Sequence, residues 1–166
     1  MAVPKRHASI AGTYFVTSKT WESRAVFKVQ GPCDSFIETI LHYRDQGKHK
    51  LHGFVLMPDH FHLLLTLGQE VTVERAVQFV KGGSARRIGI ALNYKFPIWQ
   101  RGFSDHRIGD AQDYRVHLNY LEQNPVKGRL VESASEYGWS SAGGAFAMDE
   151  VPQGLKPLSS VGERHG

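Results

Sequence analysis

Two histidines separated by one apolar residue are the first candidates for chemistry in this chain. His60 and His62 lie in the segment Met57-Pro-Asp-His-Phe-His-Leu-Leu-Leu65, just after a Pro-Asp turn signal. Because side chains alternate between the faces of a strand, both imidazoles are predicted to point one way and Phe61 the other, into a core. Neutral imidazole is a common ligand for divalent metals. The pair therefore predicts a metal site; the alternative is two partly buried or surface histidines.

The ligands available in the sequence do not suit a closed structural zinc site. Such sites use four ligands, commonly cysteines and histidines, and Cys33 is the one cysteine of the chain. An open site, in which substrate oxygens complete the coordination, is the better interpretation of the histidine pair.

A polar stripe on a predicted helix brings further reactive groups together. The stripe consists of Asp113, His117, Tyr120 and Asn124, at a spacing that places all four on one side of a helix. A solvent-exposed face is the alternative interpretation. Tyrosine and asparagine, however, are poorer helix formers than the lysine and glutamate usual on such faces. The stripe thus predicts a phenol and a carboxamide one turn apart, near a helix end signalled by Pro125.

Seven elements must position these groups. Apolar alternation and helical periodicity predict strands over 10–17, 50–56, 60–67 and 96–103, and helices over 32–47, 73–92 and 110–123. Asp34 or Ser35 is the expected cap of the first helix and Thr72 of the second, with an interruption at Gly82-Gly83. Residues 25–29 are left open as a short strand or a loop. The order predicts an α+β fold, a ferredoxin-like split β-α-β with a central antiparallel sheet and helices packed on one face.

Composition bounds the class of protein without deciding its function. The chain has 166 residues, 41% of them hydrophobic, which is typical of one globular domain. No apolar stretch approaches the roughly 18 residues of a membrane span, and the N-terminus is not a secretory signal. The single cysteine fits a reducing cytoplasm. A net charge of +4 favours a polyanionic partner only mildly. We expect a domain over 1–145 and a flexible C-terminal tail over 146–166.

Two segments together resemble the motifs of the single-tyrosine HUH transposases, the IS200-like family. Residues 57–65 resemble the family's histidine motif, and Tyr120-Leu-Glu-Gln-Asn-Pro-Val-Lys127 resembles its tyrosine helix. The run Asn124-Pro-Val-Lys127 is characteristic of the branch called REP-associated tyrosine transposases. Further similar segments are 81–87, 99–106 and 137–141, so that the resemblance extends over roughly residues 10 to 145.

The resemblance implies a metal-dependent, single-stranded DNA endonuclease and strand transferase with the HUH endonuclease fold. His60, His62 and Asn124 would hold Mg²⁺ or Mn²⁺. Tyr120 would attack a DNA phosphodiester, forming a covalent 5′-phosphotyrosine bond and releasing a 3′-hydroxyl. The implied partners are single-stranded DNA hairpins of the palindromic REP type, in the bacterial cytoplasm and at the nucleoid. His117 is a candidate proton acceptor for Tyr120; a solvated helix histidine is the alternative.

Basic and aromatic residues are candidates for contact with DNA. The predicted phosphate contacts are Lys81, Arg86, Arg87, His106 and Lys127. For His106, a structural hydrogen bond is an equal alternative. Tyr14, Trp99 and Phe103 could stack on unpaired bases, although Trp99 also suits a core. His49 and His52 are expected at the surface. Asp59 is foremost a turn residue, with an acceptor that orients a ligand histidine as the alternative.

Three other functions remain open. A non-cleaving hairpin DNA-binding protein of the same fold would be expected to lose His60, His62 or Tyr120, and all three are present. A nickase of the replication-initiator or relaxase type often carries paired tyrosines or further domains. A metalloprotein unrelated to DNA would not explain Tyr120 beside Asn124. We expect a monomer, with a dimer possible; the target hairpin and joining after cleavage are not specified by the sequence.

Overall fold

A computed structural model of the chain describes residues 11–155, which form a four-stranded sheet with three α-helices. The elements are β1 (Thr13–Lys19), α1 (Gln30–Asp45), β2 (His49–Met57), β3 (His60–Leu67), α2 (Val73–Leu92), β4 (Ser104–Arg107) and α3 (Ala111–Lys127). The sheet order is β2-β3-β1-β4, and every pair of neighbouring strands is antiparallel. The predicted element order and the α+β fold with a central antiparallel sheet are confirmed.

Helices cover both faces of this sheet, so the prediction that they pack on one face is wrong. Phe61, Leu63 and Leu65 of β3 belong to the core beneath α1 and α2. Leu64 packs instead with Leu121 of α3 in a second core on the opposite face. The sequence of β3 explains this arrangement. Its apolar run is uninterrupted because both faces of the strand are buried, so apolar and polar residues do not alternate.

Two helix boundaries differ from those predicted. The first helix begins at Gln30, with Val29 at its N-cap and no side-chain cap, so that Asp34 and Ser35 lie inside the helix. Thr72 caps α2 as predicted, since its hydroxyl accepts the Arg75 N–H at 3.1 Å.

The glycine pair does not interrupt α2. A Cβ at Gly83 would lie 2.9 Å from Thr39 Cγ2 and 3.0 Å from Tyr43 Cε2 on α1. A glycine is therefore needed here for the close approach of two helices and not for a break.

The third helix continues through Pro125 to Lys127, beyond the predicted end at residue 123. Proline removes one backbone donor, the one that would bond to the carbonyl of Leu121. Because Pro125 lies in the last turn, that loss does not stop the helix. Asn124 therefore stands on a regular helical turn and not at a frayed terminus.

Residues 96–103 form no strand, in contrast to the prediction. They contribute one isolated bridge, between Trp99 and Thr20, and β4 follows at Ser104. Trp99 is a core residue whose Nε1 donates to Ser84 Oγ at 3.0 Å, and Tyr14 is buried as well. Neither ring is free to stack on a base. Residues 26–28, in the segment left open, form a 3₁₀ turn.

The chain after α3 covers the outer edge of β2. The N–H of Leu56 donates to Trp139 O at 2.8 Å, and the N–H of Phe54 donates to Ser141 Oγ at 2.9 Å. Farther on, Asp149 exchanges two bonds with Leu51, from its N–H at 2.7 Å and to its Oδ2 at 2.8 Å. Such contacts protect an edge strand from pairing with other chains. The first part of the predicted tail is thus in contact with the sheet, and residues 156–166 lie outside the described part.

Within residues 11–155, no helix is both long enough and apolar enough to cross a membrane. His49 and His52, predicted at the surface, are instead buried on β2, with 2% and 4% of their surface exposed. His52 Nε2 lies 2.7 Å from Thr66 Oγ1, beside a register shift between Leu51 and Gly53. This shift breaks the simple alternation of β2 at His52. His49 precedes the shift and lies two residues before the buried Leu51, so that regular alternation places both on one face.

Candidate active site

The two histidines of β3 are both held through Nδ1. His60 Nδ1 donates to the carboxylate of Asp59 at 2.8 Å. His62 Nδ1 lies 2.7 Å from the hydroxyl of Thr17, its partner in the β1–β3 register. The ring centroids are 4.9 Å apart. With Nδ1 engaged in each ring, Nε2 is the nitrogen that remains for a ligand.

Asn124 of α3 contacts this pair on the face of the sheet that α3 covers. Its Oδ1 lies 3.2 Å from His60 Nε2. His62 Nε2 is buried and has no hydrogen-bond partner among the described residues. Burial, and then the neighbouring His60, lowers the pKa of His62 to about 3. The imidazole of His62 is therefore neutral near pH 7, which is the form that binds metals.

These three residues fit a divalent metal ion. Adjacent ligands of an octahedral ion with metal–ligand distances of about 2.1 Å are about 3 Å apart, close to the 3.2 Å between His60 Nε2 and Asn124 Oδ1. A buried imidazole nitrogen without a partner costs free energy unless something binds it. Two nitrogens and one amide oxygen also leave coordination positions for substrate oxygens.

Tyr120 stands next to this cluster and is accessible. Its side chain is 43% exposed, although it lies on the helix that covers this face of the sheet. The Tyr120 ring meets the His62 ring edge-on, with centroids 5.4 Å apart. Both line a cleft of about 320 Å³ together with Phe15, Thr17, Ser104, Val116 and His117. An exposed phenol beside a buried ligand histidine can act as a nucleophile towards a bound phosphate.

The position of α3 above the sheet depends on a close contact with β2. Leu121 is fully buried against this face of the sheet. At Gly53, a Cβ would lie only 2.7 Å from Leu118 Cδ1. The glycine therefore leaves room for the Leu118 side chain of α3, which would need another rotamer if a side chain stood at this position.

Residues predicted to contact DNA fall into two groups. Lys127 and His106 lie beside the cleft: Lys127 Nζ is 5.6 Å from the centroid of the Tyr120 ring, and His106 stacks on His117. Arg86 and Arg87 lie on α2, on the opposite face of the sheet.

Lys81, also on α2, donates to two backbone carbonyls, Gln100 O at 2.8 Å and Gly102 O at 2.6 Å. Burial lowers the pKa of this lysine. Its ammonium group ties the 100–102 loop to the helix, so Lys81 already has partners within the chain.

Sequence reasoning missed or undervalued three supporting residues. Asp59 was interpreted foremost as a turn residue, yet its carboxylate holds His60. Thr17 could not be connected with His62 before the β1–β3 register was known. Asp113 was placed on the polar stripe without a role, and it binds both His106 and His117. The adjacency of Asp59 to His60 was the one local signal available.

The model of the family described as "Transposase IS200 like" matches residues 13–124, a span that contains His60, His62, Tyr120 and Asn124. The chain belongs to this family. The predicted family is confirmed, and with it the prediction of an enzyme of the transposase class that processes DNA.

Two individual comparisons agree with the family. A REP-associated tyrosine transposase of Escherichia coli (strain K12) is 25% identical over 164 residues, covering 98% of this chain and 93% of the relative. A solved structure of a REP-associated tyrosine transposase bound to a REP hairpin is 24% identical, with a TM-score of 0.69, covering 92% of this chain and 93% of that one. At that identity, the second comparison shows the shared fold.

Proposed function

We propose that this family member is a metal-dependent, single-stranded DNA endonuclease and strand transferase acting on REP-type palindromic hairpins. The intermediate would be a covalent 5′-phosphotyrosine at Tyr120. The observation that carries the proposal is the position of the exposed Tyr120 ring, 5.4 Å from that of His62, in a site whose third ligand candidate, Asn124, is on the same helix as the nucleophile.

The hairpin substrate is proposed from similarity and charge. The Escherichia coli relative that matches nearly the whole chain is named a REP-associated tyrosine transposase, and a solved neighbour of the same fold is bound to a REP hairpin. Lys127 beside Tyr120, together with a net charge of +4, suits a polyanionic substrate. Action at the bacterial nucleoid, in the cytoplasm, follows from such a substrate.

In the proposed reaction, β3 supplies two metal ligands and α3 supplies the third ligand and the nucleophile. His60, His62 and Asn124 would hold Mg²⁺ or Mn²⁺, while Asp59 and Thr17 fix the two imidazole rings. When bound, such an ion would polarise the scissile phosphate and offset charge in the transition state. Tyr120 Oη would form the bond to phosphorus, and the 3′-oxygen would leave. Lys127 is a candidate contact to a phosphate next to the scissile one.

The residues of this site also bear on the two alternative functions. A non-cleaving hairpin-binding protein needs neither the orphaned Nε2 of His62 nor an exposed phenol beside it. A replication-initiator or relaxase-type nickase would use the same site on a different substrate, which only DNA specificity can distinguish.

The decisive experiment is incubation with single-stranded hairpin oligonucleotides and Mg²⁺ or Mn²⁺, followed by denaturing electrophoresis. A covalent protein–DNA adduct should form with the wild-type chain and be absent from Tyr120→Phe. Tyr43→Phe is the matched control, because Tyr43 lies on α1, which packs on the other face of the sheet. Hairpin binding without adduct or cleavage in the wild-type chain would favour the non-cleaving alternative.

A further inference from the structure

Asp113 connects two histidines beside the nucleophile. Its Oδ2 accepts from His106 Nε2 at 2.8 Å and from the Gly109 N–H at 2.9 Å, and its Oδ1 lies 3.0 Å from His117 Nδ1. Burial raises the pKa of this carboxyl, but the Gly109 N–H and the two histidines outweigh it and the net pKa is lowered. Asp113 is therefore an anion near neutral pH, and it faces donors on three sides.

The same contacts fix the orientation and the tautomer of His117. Its Nδ1 has two acceptors, the carboxylate of Asp113 and the backbone carbonyl of Asp113 at 2.9 Å. A nitrogen with two acceptors carries the proton, so the neutral ring has its lone pair on Nε2. Nε2 forms no hydrogen bond with another residue of the described range. His117 lines the cleft one helical turn from Tyr120.

We propose that His117 is the proton acceptor for Tyr120, and that Asp113 and His106 are positioning residues that hold its ring in the reactive tautomer. This inference rests on the proposed function, in which Tyr120 attacks DNA. It adds a hydrogen-bonded group, formed by β4 and α3, that is separate from the metal ligands on β3.

The proton transfer balances within the reaction. The phenolic proton of Tyr120 moves to His117 Nε2 while Oη forms its bond to phosphorus. The bond between phosphorus and the 3′-oxygen breaks, and its electron pair leaves on that oxygen. The imidazolium then releases its proton to solvent, and the 3′-oxygen takes up a proton from solvent, giving the 3′-hydroxyl. In strand joining the same steps run in reverse, so one histidine acts as base and then as acid.

His106 supplies the contact between the sheet and Asp113. It belongs to β4, a four-residue exposed strand that pairs with β1. Its ring stacks on that of His117, with centroids 4.5 Å apart and an angle of 20° between the planes. Stacking on one side and Asp113 on another restrict the rotation of His117 in an otherwise open cleft. His106 thus holds His117, on helix α3, in a fixed position relative to strand β4.

A second metal site is the competing explanation for this cluster, since ligand atoms of the three residues lie within 4.8 Å of one another. A metal ion bound to two imidazoles lies in the plane of both rings. Rings that are stacked face to face, as those of His106 and His117 are, cannot direct their lone pairs to a common point. One oxygen of Asp113 is also already bonded to the Gly109 N–H. The geometry favours a hydrogen-bonded group.

The charged and titratable groups that face His117 determine the pH dependence. They are Asp113 and Tyr120 on its own helix, His106 from β4, and, beyond the ring of Phe15, His62 from β3.

The first test is the pH profile of single-turnover adduct formation with a hairpin oligonucleotide and Mn²⁺. In the wild-type chain the rate should rise with pH as the proton acceptor becomes available. His117→Asn keeps a donor towards Asp113 but has no basic nitrogen; its rate should fall about 100-fold or more near pH 7, and this rise should disappear. Asp113→Asn should lower the rate, because the ring of His117 would no longer be held with its lone pair on Nε2. His42→Asn, on the exposed side of α1, should match the wild-type chain.

The second test does not depend on catalysis. Nitrogen NMR of the ring of His117 should show the Nδ1–H tautomer in the metal-free wild-type chain, and a shift towards Nε2–H in Asp113→Asn. His106→Gln keeps a donor at the Nε2 position, so it should retain the Nδ1–H tautomer of His117 and most of the rate of adduct formation. His106→Ala should lose part of the rate and show a partial shift of His117 towards the Nε2–H tautomer. Circular dichroism would show whether each variant is folded.

The outcomes separate this inference from the proposed function. If the wild-type chain forms no adduct, the proposed function fails, and the tautomer still tests the role of Asp113. If the wild-type chain reacts but His117→Asn keeps its rate and pH profile, the proton-acceptor role is wrong. An Nε2–H tautomer in the wild-type chain would overturn the positioning role. So would a bound Zn²⁺ that is lost in His106→Ala but kept in His60→Ala.

Discussion

His60 on the central strand β3 and Asn124 on the covering helix α3 approach to 3.2 Å between Nε2 and Oδ1. This contact joins the two halves of the candidate site, because Tyr120 stands one turn before Asn124. The strand positions two ligand nitrogens and the helix positions the nucleophile, so a ligand from each element fixes the nucleophile relative to the metal.

Loss of one ligand should separate cleavage from DNA binding. His60→Ala should abolish cleavage while hairpin affinity, which depends on phosphate contacts, stays within a few-fold of wild type. Asn124→Ala should weaken Mn²⁺ binding at least about tenfold, equivalent to about 1.4 kcal/mol. Calorimetric titration and cleavage assays measure the two effects. Gln123→Ala is the matched control, and equal loss of affinity and cleavage in His60→Ala would mean that the histidines are structural.

Asp59 should influence the metal without touching it. Its carboxylate accepts the Nδ1–H of His60 at 2.8 Å, which fixes the orientation of the ring and leaves Nε2 for the metal. Asp59→Asn should therefore lower Mn²⁺ affinity about 10- to 100-fold, the usual effect of removing such a partner. Asp45→Asn serves as a control, because the Asp45 side chain is 76% exposed and lies on α1. An unchanged affinity in Asp59→Asn would mean that this contact is incidental.

Each protein chain should act with its own tyrosine. The contact between His60 and Asn124 and the contact between His62 and Tyr120 are both made within one chain. An equimolar mixture of Tyr120→Phe and His60→Ala should consequently remain inactive in the adduct assay. Activity restored on mixing would show that two subunits exchange α3 and that the active form is a dimer.

Acid should destabilise the fold through His49. This residue is buried on β2, and burial lowers its pKa to about 4, whereas an unfolded histidine titrates near 6.5. The unfolded chain therefore takes up the proton first. Stability from this group is complete above about pH 6.5 and is lost as the pH falls towards 4. Urea unfolding should give a free energy about 2 kcal/mol lower at pH 5 than at pH 7 from His49 alone.

His49→Gln is the variant that tests this origin. It should unfold with a smaller difference between the two pH values, whatever its stability at neutral pH. A pH dependence equal to that of the wild-type chain would assign the acid sensitivity to other groups. His52, which is also buried with a lowered pKa, is the next candidate.

Local patterns predicted those parts of the site that depend on a single element. Alternation in β3 sufficed to place His60 and His62 on one face, and helical spacing sufficed for His117, Tyr120 and Asn124. Contacts between elements were not accessible in this way. Asp113 acquires its role only when β4 brings His106 to it.

Lys81 also shows that contacts between elements are not accessible from local sequence patterns. Its charge indicated a phosphate contact, and the fold brings two carbonyl oxygens of the 100–102 loop to its ammonium group. Pro125 was interpreted as a helix end because sequence position alone does not show that a lost hydrogen bond falls in the last turn.

The absence of a side chain at Gly53 has a consequence for how reactivity in this chain can change. A single methyl group there would lie 2.7 Å from Leu118 Cδ1, the end of a flexible side chain, so Leu118 would have to change its rotamer. Leu118 lies on α3 two residues before Tyr120, whereas His60 and His62 lie on β3. A substitution at Gly53 would thus change the packing beneath the helix of the nucleophile, at a buried position that no DNA strand in the cleft would touch.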